Sequence, residues 1–196
     1  NEILLRNLLQ KMPPYCKQFF IGIEPTTSSR TRIAYAYDLN CFFDYLHENN
    51  PLCTKKDITE IPLSVLGNLA PMDIEEYLSY LKYYEKDGVE HTNDERGLKR
   101  KLASLRSFYR YLYKNEMIGQ DPAVKVDMPK IHEKTITRLD IDEVANLLDE
   151  VESGESLTEK QQKFHEKTKT RDLAMMTLLL GTGIRVSECV GLDMDD

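Results

Sequence analysis

Two groups of residues in this 196-residue chain have types and spacings that could do chemistry. The first is Gly181-Thr182-Gly183-Ile184-Arg185-Val186-Ser187-Glu188. Its two glycines permit a sharp turn between apolar segments. Arg185 then projects from the start of a helix, with Glu188 three residues on. A carboxylate at that distance can orient a guanidinium, and an oriented guanidinium grips a phosphate through two parallel N–H donors. An ordinary ion pair at a helix junction would use the same residues. The spacing excludes a P-loop or a dinucleotide fingerprint, because no Lys or Ser/Thr directly follows the last glycine and no strand pattern precedes it.

The second group is a segment of one sign. Residues 97–115 carry Lys99, Arg100, Lys101, Arg106, Arg110 and Lys114 and no acid, in a chain that has 33 acids. Helical spacing puts Lys99, Arg106 and Arg110 on one flank. Arg100 and Ser107 fall opposite the leucines. Such a stripe can lie along a DNA groove, where guanidinium groups reach phosphates and base edges. A solvated helix face is the plainer reading, but solvated faces usually mix signs. Arg30 and Arg32, near the start of another helical stretch, complete the cations expected at DNA.

Other constellations are weaker. The four His and four Cys are scattered, without metal-ligand spacing, a C-x-x-C pair or a nucleophilic triad, so no metal and no disulfide framework is expected. Reduced thiols point to the cytoplasm. Asp193, Asp195 and Asp196 read as an acidic tail rather than a metal site. Tyr35, Tyr37, Tyr77 and Tyr109 sit at apolar helix positions and are expected to pack.

Net charge is −7, which alone disfavours a nucleic-acid partner. Its distribution changes that. Residues 1–130 hold 18 basic and 18 acidic residues, while 131–196 hold 8 and 15. The deficit therefore lies entirely in the last third, away from the basic stripe. The longest apolar run, Leu173–Leu180, is too short to span a bilayer, and no secretory signal is expected, since the first residues show no basic stretch followed by an apolar segment.

The elements that must position these residues read as helices throughout. An amphipathic stretch (Ile3, Leu4, Leu8, Met12) ends at Pro13-Pro14. Residues 15–27 read as a linking segment. A helix follows from about Thr31 to His47, capped by Ser28, Ser29 or Thr31. Residues 54–70 read as loop with short helical turns. A helix over 72–85 starts at Pro71 and is closed by Asp87-Gly88. A long helix over 95–114 buries Leu98, Leu102, Leu105, Tyr109 and Leu112. Residues 121–137 resemble an interdomain linker. Asp140 caps a further helix, residues 152–170 form a polar insertion with some helix, and 171–180 is an apolar helix. Arg185–Val190 opens another. The fold class expected is all-α.

These motifs, in this order, resemble the tyrosine recombinases of the phage integrase family. Thr182-Gly183-Ile184-Arg185-Val186-Ser187-Glu188, led by Arg171-Asp172-Leu173-Ala174 and followed by Gly191-Leu192, is similar to the box that carries the family's first catalytic arginine. Thr31-x3-Tyr35-x2-Asp38-Leu39-x2-Phe42-Phe43 and Leu102-x2-Leu105-Arg106-x-Phe108-Tyr109 resemble helices of its core-binding domain. Met12-Pro13-x-Tyr15 and Leu63-Ser64-Val65-Leu66 resemble the single-recombinase Xer type.

The resemblance implies a SAM-like helical core-binding domain over 1–128, a linker over 129–137, and over 138–196 the first helices of a mixed α/β catalytic domain. It implies site-specific recombination through a 3′-phosphotyrosyl intermediate, with double-stranded DNA as partner, a tetramer on two duplexes as the working form, and no cofactor. Arg185 would be catalytic, with Glu188 as its support. Lys99, Arg100, Arg106, Arg110, Arg30 and Arg32 would contact DNA. The family's nucleophilic Tyr follows the first Arg box, whereas the last Tyr here is Tyr113. The chain, which also opens on Asn1, is therefore expected to be an excised piece that binds DNA without recombining it. A non-catalytic DNA-binding regulator and a helical protein-interaction domain are the alternatives.

Overall fold

The computed structural model describes residues 1–86, 88–132, 137–193 and 195. They form two compact units, residues 1–133 and 134–196. In the first unit the helices are α1 (Glu2–Leu9), α2 (Tyr15–Ile23), α3 (Ser29–Asn49), α4 (Leu63–Asn68), α5 (Pro71–Tyr80) and α6 (Glu95–Lys114). The second holds α7 (Ile141–Ser153), α8 (Glu159–Thr182) and α9 (Val186–Val190). The expected all-helical class holds, with one small addition. Strands β1 (Tyr83–Lys86) and β2 (Val89–Thr92) form an antiparallel hairpin pairing Tyr83 with Thr92 and Lys86 with Val89.

That hairpin corrects a boundary. The helix expected to reach residue 85 ends at Tyr80, and the chain turns into a strand three residues later. Tyr83 and Tyr84 have high strand propensity and stack or bond across the pair: Tyr84 lies on His91 at 5.0 Å, and the Tyr83 hydroxyl donates to Glu90. The closing residue Asp87 lies outside the described residues.

A second correction concerns residues 15–27. They are not a link but α2, followed by a 3-10 turn over Glu24–Thr26. Helix α1 already ends at Leu9, ahead of Pro13-Pro14, and Pro14 is the N-cap of α2, where a helix has no use for the missing N–H. Cys16, Phe19 and Phe20 recur at helical spacing and are buried. Phe19 meets the Phe108 ring edge-on at 5.2 Å and Tyr111 at 5.6 Å, which packs α2 onto α6.

The core of the first unit is aromatic and aliphatic. Phe42, Phe43, Tyr77, Phe108, Leu66 and Ile74 are all at most 2% exposed. Each fully buried side chain of this size contributes about 1.5–3 kcal/mol. Tyr77 and Tyr109 pack as expected, and burial pushes both hydroxyls far above the ordinary phenol range. Tyr35 is half-buried and stacks on Phe19, but Tyr37 is exposed, against the expectation that it packs.

In the second unit, Asp140 caps α7, with Glu143 returning the bond to the Asp140 N–H. The polar stretch expected as insertion is helical from Glu159 and runs unbroken into the apolar segment, so α8 reaches 24 residues. His165 ties it to α7 through the Val151 carbonyl at 2.8 Å. Apolar side chains here are partly or largely exposed, Ile141 and Val190 among them.

Candidate nucleic-acid interface and candidate catalytic arginine

Helix α6 begins where Asp94 accepts the Gly97 N–H at 2.8 Å. Its leucine stripe and Phe108 fix its rotation by burying one face. The opposite face carries Arg96, Lys99, Arg100, Arg110 and Lys114, all exposed. Ala103 and Ser107 lie between them on the same face, half-buried and small. From Arg96 to Lys114 this face runs about 27 Å at the helical rise. Arg96 was not among the expected candidates, although its spacing to Arg100, Arg110 and Lys114 follows the helical period.

The structure separates the candidate cations. Lys99 and Arg110 are exposed, as is Arg30 in the first turn of α3. Arg100 is half-exposed and pairs with Asp38 of α3. Arg106 turns inward: its Nε donates to the Ala123 carbonyl at 3.0 Å, and its Nη2 to that of Val126. It thereby fixes the 3-10 turn Ala123–Lys125 beneath α6.

Arg32 is 7% exposed and equally committed. Its Nη1 donates to the carbonyls of Glu24 and Thr27, and its Nη2 to Glu2 at 3.1 Å. Two of the five arginines expected at DNA, Arg32 and Arg106, thus bond within the fold. The cause is one that sequence spacing does not show: each guanidinium meets backbone carbonyls left over at helix and turn ends.

Asp38 is the buried counterpart of the basic helix. It takes the Ser104 hydroxyl at 2.6 Å and lies 3.4 Å from Lys101 Nζ, besides Arg100. Lys101, counted in the basic segment, is therefore buried rather than displayed. An acid beside Leu39 in an otherwise apolar helical pattern was the available signal for this cluster.

In the second unit, α8 ends at Gly183, whose φ of +68° lies in the left-handed region that glycine adopts without strain. Gly181 stays within the helix, so only one of the two glycines makes the turn. Arg185 is the N-cap of α9. The Glu188 carboxylate accepts the Arg185 N–H at 2.8 Å through one oxygen and its Nη1 at 2.9 Å through the other. These bonds hold Glu188 below the usual carboxylate range, the backbone bond contributing most. The guanidinium is exposed, so it is oriented yet open to an anion.

Among the described residues no helix is long and apolar enough to cross a membrane, and no cluster of His, Cys, Asp and Glu could hold a metal ion.

Residues 17–116 match the family model described as phage integrase, N-terminal SAM-like domain. The chain is 30% identical over 195 residues to the tyrosine recombinase XerC of Caldanaerobacter subterraneus, covering 95% of this chain and 50% of that protein. It is 28% identical to the XerS of Lactococcus lactis MG1363 and 30% identical to that of Streptococcus pneumoniae P1031. Both alignments span the whole chain and 62% of the relative. The chain thus spans about half to three-fifths of the length of these relatives. No solved structure matches. With the SAM-like match over half its residues and Xer recombinases aligned along nearly all of it, the chain belongs to the tyrosine recombinase (phage integrase) family.

Proposed function

We propose that this chain supplies the DNA grip and the first catalytic arginine of a site-specific tyrosine recombinase. Residues 1–128 act as the core-binding domain, 129–137 link, and 138–196 begin the catalytic domain. The exposed face of α6 lies on duplex DNA, with Lys99, Arg100 and Arg110 in contact and Arg30 as a further contact. Arg32 and Arg106 stay within the fold.

Arg185, oriented by Glu188, stabilises charge on the scissile phosphoryl oxygens as it develops. In the complete enzyme a tyrosine attacks that phosphorus and forms a 3′-phosphotyrosyl bond, while the 5′-hydroxyl leaves. Religation reverses the step. The bond energy is conserved throughout, so neither ATP nor a metal is required. The working form is a tetramer on two duplexes, in the cytoplasm.

The observation that carries this reading is the acid-free, exposed basic face of α6 inside the segment that matches the SAM-like domain. A titration of labelled duplex into the chain at low salt tests it. Binding that falls steeply with salt is expected. Absence of binding at low salt overturns it and favours a helical protein-interaction module, the reading that the net charge of −7 supports.

A further inference from the structure

With α6 taken as the DNA-contacting helix of the proposed function, Asp38 is an anomaly. It is an acid, 2% exposed, directly beneath a face meant for an anion. Its three donors, Arg100, Lys101 and Ser104, all come from α6. A buried carboxylate needs one countercharge, and Lys101, itself nearly buried, supplies it. Arg100 is surplus to that neutrality. It reaches in from the exposed face with Nη1 alone, and its side chain stays 51% exposed. Nε and Nη2, the side edge of the guanidinium fork, make no hydrogen bond to the described residues.

We propose that Asp38 is a positioning residue for DNA contact: it clamps Arg100 by Nη1 on the basic face, about one turn from its N-terminal end. The remaining edge of the fork is then presented to a pair of acceptor atoms on the duplex. The neighbours on that face, Ala103 and Ser107, are small enough to let a strand approach. Fixing the guanidinium beforehand removes the ordering cost that a free, long side chain meets on binding.

The sign of one effect separates this role from plain electrostatics. Acting through its charge alone, Asp38 repels DNA, and removing it tightens binding. Acting as a clamp, its removal weakens binding. The experiment is fluorescence anisotropy of a labelled mixed-sequence duplex at low salt, with the chain folded as judged by circular dichroism. Asp38→Asn is expected to weaken binding by roughly fivefold to tenfold, the scale of one well-held contact. In an Arg100→Ala background the same change is expected to do nothing.

Unchanged or tighter binding by Asp38→Asn overturns the clamp, as does an equal loss without Arg100. Should Asp38→Asn unfold by stranding Lys101, the comparison is Lys101→Met against Lys101→Met with Asp38→Asn, with the same expected loss. Lys99→Ala and Arg110→Ala distinguish the two levels. If they weaken binding and Asp38→Asn does not, the clamp alone fails. If none weakens it, α6 is not the interface and both readings fall.

Discussion

The Tyr111 ring lies directly over Gly22: a β-carbon added there would come within 2.2 Å of the ring. Helix α2, which the sequence disguises as a link, is thus locked to α6 by the absence of a side chain. Gly22→Ala gains helix propensity of up to about 1 kcal/mol but must displace a ring that also packs on Phe19. The clash is expected to win, with a net loss of about 1–2 kcal/mol by urea unfolding. In a Tyr111→Leu background the loss should shrink, and a constant loss would place its cause elsewhere.

Arg106 and Arg110 are one turn apart on α6 and should fail differently. Arg106→Ala strands two carbonyls and is expected to cost about 1–3 kcal/mol of stability, with the salt dependence of DNA binding unchanged. Arg110→Ala should leave stability within about 0.5 kcal/mol and lower the salt slope by about 0.9. The pair of measurements, unfolding and salt titration, checks both.

Arg32→Met tests the other inward arginine. It removes the donor that joins the α1 acid Glu2 to the carbonyls of Glu24 and Thr27. A loss of about 1–3 kcal/mol is expected, with DNA affinity of the folded fraction retained. A stable variant with weakened DNA binding would return Arg32 to the interface.

In a chain extended to the length of its Xer relatives, Arg185→Lys should reduce strand cleavage by about a hundredfold or more while duplex binding persists. Lysine cannot form the planar fork that two phosphoryl oxygens require. Gel assays of cleavage and binding on one substrate read both, and unimpaired cleavage would remove Arg185 from the chemistry.

The Arg185–Glu188 pair also sets a pH dependence. The folded pKa of Glu188 is depressed, so its stabilising bonds are complete above the ordinary glutamate pKa. They weaken only as pH falls through the lowered value. Carbon-detected NMR titration should find Glu188 titrating below a glutamate in an unstructured reference peptide. Coincident midpoints would show that the two bonds do not persist in solution.

Much of this was legible beforehand because it is periodic. The leucines of α6, the Asp140 cap and the Arg185–Glu188 spacing are local patterns, and local patterns survive in sequence. What escaped depends on contacts distant along the chain. Arg32 and Arg106 look like surface cations until helix ends deliver carbonyls to them. Asp38 looks like one more polar residue until three donors arrive from some sixty positions away. The hairpin at Tyr83 escaped because four-residue strands are shorter than the window that periodicity needs.

Arg106 holds the exit of the first unit at Val126, and Met128 still packs on that unit's core. The stretch Ala123–Val126 is thus lashed to α6 by a side chain that the exposed basic face does not use. Arg106 acts as a cleat: without it the end of the first unit loses two of the bonds that tie it to the helix, while Lys99 and Arg110 keep their places on the exposed face.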